Sequence, residues 1–197
     1  MSITATTSKL HWNYFLALEQ DMEAVSRYIE FSDHNLEAKV YSIELAHLLF
    51  AAASEVDVVA KLVCNILDPN APRGNIDDYR KVIKAKMPVL VSTQIFIPRY
   101  GLELTPWDNW KTEKNPDWWG SYNNVKHQRD QHFDQATLKN ALNALAGLLA
   151  LTFHFYRLSM PITVAPPVIA KETTRLLVPE STLFRLPDDH YYGNLLI

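Results

Sequence analysis

Between Leu45 and Val63 the chain is apolar nearly all the way round a helix rather than along one stripe. A helix of that kind must be surrounded by other elements, so this segment is predicted as the central helix of an all-α fold. It starts between Asn35 and Ser42 and stops at Asp68-Pro69, because proline removes a backbone donor and clashes with the preceding turn. The rest of the chain has to supply its neighbours.

Three other segments carry helical patterns. Over residues 8–30, Phe15, Leu18, Met22, Val25 and Ile29 recur at steps of three and four, with Glu19, Gln20, Glu23 and Arg27 turned to water. Asn75 reads as the N-cap of a short helix to about Met87, with Tyr79, Val82 and Ile83 inward. Asp134 reads as the cap of a long helix from Gln135 to about Leu158, with Phe133 and Leu138 as its hydrophobic staple. Gly147 within it implies a close helix–helix contact.

Between these lie segments of a different character. Val89 to Pro98 is apolar and β-branched, Arg99-Tyr100-Gly101 reads as a turn, and Leu102 to Leu104 follows, so a short β-hairpin insertion is expected near 93–105. Asn115-Pro116-Asp117 predicts a helix start, with Asn115 as N-cap and Pro116 in the first turn. The tail, 161–197, holds five of the 11 prolines and no helical period. It reads as an extended C-terminal arm laid over the body or over a partner subunit. Residues 1–160 are thus predicted to form a four- to five-helix up-and-down bundle.

Composition narrows the function classes. With 197 residues, 48% of them hydrophobic, the chain is long enough for one core without disulfides or metal. A net charge of −3 and a pI near 6.1 argue against a duplex-DNA or membrane-surface binder. The single cysteine, Cys64, sits inside an apolar helical pattern and reads as a buried thiol. The first residues lack a charged segment followed by an apolar one, and the longest apolar runs fall short of the ~18 residues of a membrane span. A cytoplasmic protein is expected.

The one stretch that proposes chemistry is Trp118-Trp119-Gly-Ser-Tyr122-Asn123-Asn124-Val125-Lys126-His127-Gln128-Arg129. On a helix Asn123 and His127 share a face, and Lys126 lies about 100° to the side of His127. His127 is suited to general acid/base work at neutral pH, with Asn123 to orient it. Lys126 and Arg129 would stabilise a developing phosphorane. Trp118, Trp119 and Tyr122 would stack bases as single-strand binders do. The same aromatics at helical spacing also suit a core or an interface. Arg129 falls about 200° from His127 on a regular helix, so the two meet only across a subunit interface or where the helix breaks.

Tyr122-Asn-Asn-Val-Lys-His127, preceded by two tryptophans and followed by a long helix with Asn140-Ala-Leu-Asn-Ala-Leu, resembles the HEPN superfamily. That resemblance runs in outline over 10–158. It implies an all-helical bundle that often dimerises, and a metal-independent ribonuclease motif of arginine, a polar residue, a spacer and histidine. Asn123 and His127 match the last two elements. Tyr122 stands where the family has arginine, which removes the principal cation of that motif. The family includes toxin ribonucleases, phage-defence proteins and non-catalytic members.

A second polar set, Glu44, His47 and Glu55, falls within about 80° on the central helix. Its expected role is structural, or to support His127 or Lys126 from behind. No metal-ligand spacing is present, and neither metal nor cofactor is expected. The leading expectation is a homodimeric, HEPN-like protein that binds or cleaves RNA in a defence or toxin setting, leaving a 2′,3′-cyclic phosphate. The rival is a non-catalytic interaction or scaffold protein with a cognate protein partner. A small-ligand pocket lined by Glu44, His47 and Glu55 is a third class.

Overall fold

A computed structural model describes residues 8–160 and 166–192. Nine helices and one two-stranded antiparallel sheet are found among them, so the fold is mostly helical. Helix α1 spans Leu10–Val25, α2 Asp33–Glu37 and α3 Ile43–Leu67. Helix α4 spans Ile76–Lys86. Strands β1 (Ile95–Ile97) and β2 (Leu102–Leu104) follow. Then come α5 (Asp117–His127), α6 (Arg129–His132), α7 (Leu138–Leu158), α8 (Pro166–Leu176) and α9 (Asp189–Tyr192).

Helix α3 is central, as its composition requires, and packs most extensively along α7. Its first turn is closed by Ser42, whose hydroxyl accepts the Leu45 N–H at 3.1 Å. Asn75 caps α4 in the expected way, accepting the N–H groups of Asp77 and Asp78. Asp77 and Asp78 lie at the positive end of that helix and Lys84 and Lys86 at its negative end, so charge and dipole agree.

The hairpin pairs Ile95 with Leu104 and Ile97 with Leu102. Gly101 closes its turn at φ +64°, a left-handed conformation that side-chain-bearing residues rarely adopt. The segment before it is not extended. Pro88–Ser92 forms a short 3₁₀ turn that buries Leu90 and Val91.

Two expectations are corrected at helix ends. The cap of α7 is Thr137, which accepts the Asn140 N–H at 3.2 Å; Asp134 lies one turn earlier, in a 3₁₀ turn spanning Phe133–Gln135. The cap position of α5 is Pro116 rather than Asn115, whose side chain instead joins Arg80 and Asp77 of α4. Gly147, mid-helix, sits where α7 meets α5 and the loop before it. A Cβ there would lie 3.2 Å from the Trp118 ring and 3.4 Å from the Trp107 ring, so its bareness makes room for two indoles.

Part of the tail is helical, in α8, contrary to the all-extended reading. Residues 161–165 and 193–197 of the expected arm lie outside the described residues. The piece beyond α8 folds back on the body, burying Leu177, Leu183, Phe184 and Leu186. Among the described residues α7 alone is long and apolar enough to cross a membrane, and most of it is buried inside the fold.

Candidate functional site

The motif occupies α5 and the break after it. At Gln128 the backbone leaves the helix (φ −140°, ψ 54°), and α6 restarts at Arg129. The break carries the Arg129 guanidinium back over the Phe50 ring of α3, 5.1 Å from its centroid. Lys126 donates to the Tyr122 hydroxyl at 3.1 Å and lies 5.2 Å from that ring's centroid. Phe50 and Tyr122 meet edge to face at 6.0 Å. Lys126 and Arg129 therefore flank one aromatic pair, a cation–π arrangement. Phe50 is a member of this set that sequence reasoning missed, since nothing marks it off from the other apolar residues of the helix.

The remaining aromatics point inward. Trp118 and Trp119 cross at 5.8 Å, Trp118 meets Trp107 at 5.3 Å, and Trp107 meets Trp110 at 4.5 Å. The Trp118 indole donates to the Pro106 carbonyl at 2.9 Å. Both motif tryptophans and Tyr122, the residues expected to stack bases, are buried. Their faces are taken by one another, because apolar rings at helical spacing gain more from the core than from water.

The expected catalytic pair is also apart in role. Asn123 donates to the Trp119 carbonyl of its own helix at 3.1 Å and does not orient His127. The His127 ring is exposed, and no hydrogen bond holds it among the described residues. Lys126, His127 and Arg129 are all exposed, the first two in the last turn of α5 and Arg129 at the start of α6.

The second polar set separates. Glu55 accepts from His11 of α1 at 2.6 Å, and the His11 ring meets Phe155 of α7 edge to face. Glu44 and His47 face solvent 3.9 Å apart. They border an open groove of about 430 Å³ between α1 and α3, together with Asp21, Tyr28 and Leu48. None of the three is hydrogen-bonded to His127 or Lys126. Among the described residues no three His, Cys, Asp or Glu side chains gather to hold a metal ion. Cys64 is buried, and burial pushes its thiol up to about 11, so it stays protonated.

Comparison of the chain with protein-family models, with curated proteins and with solved structures finds no match.

Proposed function

We propose that the chain is a HEPN-like helical bundle of the non-catalytic kind, a dimeric interaction protein whose contact face centres on the α5–α6 break. The observation that carries this reading is the use of the motif: Trp118, Trp119 and Tyr122 are spent on the core, and His127 has no orienting partner. Around the break the surface offers exposed Tyr41, whose ring meets Phe133 edge to face, the half-buried Phe50, the cations Lys126 and Arg129, and the exposed acid Asp130 of α6. A face with apolar residues and both signs of charge suits an isologous contact, in which the same patch meets itself. The mass by sedimentation equilibrium is expected to rise from monomer to dimer with concentration. Reversing both cations (Lys126→Glu with Arg129→Glu) is expected to weaken the dimer by about tenfold or more. A monomer at all concentrations sinks this reading.

One observation favours a second reading, RNA cleavage: His127 is solvent-facing with Lys126 and Arg129 beside it, where an RNA backbone would be attracted. Purified wild type and His127→Ala, each incubated with mixed RNA in EDTA, are expected to leave it intact. Cleavage by wild type alone, ending in 2′,3′-cyclic phosphate, would replace the interaction reading with a nuclease that tolerates Tyr122 in place of arginine.

A further inference from the structure

The sequence places α3 inside a ring of neighbours, yet one strip of the helix is uncovered. Val58 and Leu62 are 43% and 36% exposed, and His47 and Ala51 point the same way to within about 60°. Two different surfaces flank that strip. Leu48, on one side, lines the open groove of about 430 Å³ between α1 and α3. Phe50, on the other, carries the Arg129 guanidinium of the α5–α6 break. These two residues lie about 80° to either side of the Val58 direction. Groove and break therefore border the strip from opposite flanks, at the same height on α3.

The groove has the chemistry of a receptor for a long cationic side chain. Leu18, Val25 and Leu48 give it an apolar lining. Asp21 of α1 and Glu44 of α3 bring a carboxylate from each wall, and Tyr28, 86% exposed, adds an aromatic ring. Among the described residues Asp21 has no ion pair, and Glu44 has only His47 at 3.9 Å. An apolar lining takes an alkyl stem, while carboxylates and a ring take its charged head. The break supplies such heads. Lys126 and Arg129 are exposed, and neither forms a salt bridge among the described residues. Their contacts to the Tyr122 and Phe50 rings hold them in place in advance, which lowers the ordering cost of binding.

We propose that the occupant of the α1–α3 groove is a second copy of this chain, which seats Lys126 and Arg129 of its α5–α6 break between Asp21 and Glu44. A two-fold axis running along the uncovered strip exchanges the flanks, so each break meets the other copy's groove and the two strips face each other. The opposite signs of the two flanks select this arrangement. An axis crossing the strip at the same height would set groove on groove and carboxylate on carboxylate. The proposal rests on the dimeric reading above and names the surface that receives the break.

The test is a reciprocal exchange of charge in the full chain, read by sedimentation equilibrium. Reversing the groove (Asp21→Lys with Glu44→Lys) and reversing the break (Lys126→Glu with Arg129→Glu) are each expected to weaken self-association by about tenfold or more. An equimolar mixture of the two variants is expected to return to within about threefold of the wild-type dimer, because both contacts of the mixed dimer then join opposite charges. A wild-type dimer that weakens on reversing the break but ignores reversal of the groove overturns this proposal and leaves the dimeric reading standing. So does a mixture no tighter than either variant alone. A wild type that is monomeric at every concentration removes both. The four altered residues are exposed, so the helical circular dichroism is expected to stay unchanged. Should the groove reversal unfold the chain, Asp21→Asn with Glu44→Gln takes its place; it is expected to weaken the dimer by about threefold, and no effect overturns the proposal.

Discussion

Trp107→Ala should lower the stability of the protein by about 3–5 kcal/mol, the range for removing a fully buried large aromatic. Trp107 has no exposed surface and sits between Trp110 and Trp118, with its indole N–H on the Gly147 carbonyl at 3.3 Å. The neighbouring indoles are rigid, and the facing stretch of α7 is backbone at a bare glycine, so little can move in to fill the space. The loss should fall on the contact between α7 and the 106–118 region, which sets the start of α5. Trp107→Phe should recover part of it. Urea unfolding followed by circular dichroism reads both values. A Trp107→Ala loss below about 1 kcal/mol, the level of an average substitution, would mean that the indole cluster does not hold α7 to the α5 start.

Acid should destabilise the fold through one histidine. His154 lies inside α7 with 1% of its surface exposed, and its Nε2 has no hydrogen-bond partner. Burial, and after it the charges of Arg157 and His190, hold its pKa down at about 3 against an ordinary 6.5. Above about pH 7 the ring is neutral folded or unfolded, and the group contributes nothing to the pH dependence. Between 6.5 and 3 the unfolded chain binds a proton that the folded chain refuses. Stability therefore falls as pH falls, by about 1.4 kcal/mol per unit and roughly 4–5 kcal/mol over the whole window. His154→Leu should remove that slope while leaving stability at pH 7 unchanged or higher. The comparison is urea midpoints for the two proteins at pH 7 and pH 4. Parallel losses in both would show that other groups carry the acid response.

The scaffold was legible where local chemistry and packing agree. Leu45 to Val63 had to be surrounded, Asn75 had to cap, and Gly101 fits the tight turn between two apolar strands; each rests on a short-range rule. Thr137 was missed because Asp134 satisfies the same rule three residues earlier. The choice fell to Leu138 donating its N–H to the Val40 carbonyl across the chain. The helix in the tail was hidden by prolines, two of which, Pro166 and Pro167, sit in its first turn, where a missing N–H costs nothing.

The candidate site was legible only as a list. Glu44 and Glu55 share a helix face but stand 11 residues apart, about 16 Å along the axis, so their common direction did not make them neighbours. The tryptophans were open to either an outward or an inward role, because residue type and spacing serve both. The partners that decide it, Pro106, Trp107 and Gly147, come from other parts of the chain. Glu19 was read as solvent-facing on its helix pattern. It is buried and accepts the Ser181 hydroxyl and the backbone N–H groups of Thr182, Leu183 and Phe184, and backbone donors leave no mark on residue identity.

Those donors lie 162 to 165 residues downstream of the carboxylate they satisfy. Translation therefore delivers the two halves of this contact at opposite ends of nearly the whole described chain. Helix α1 leaves the ribosome with an acid built for a buried setting and with Trp12 and Phe15 uncovered on the same side. Contacts of such long range form late, and exposed apolar surface in the interval invites chaperones or aggregation. A nascent chain halted before Ser181 would carry that bare carboxylate and its flanking rings in water, a state the finished protein never shows.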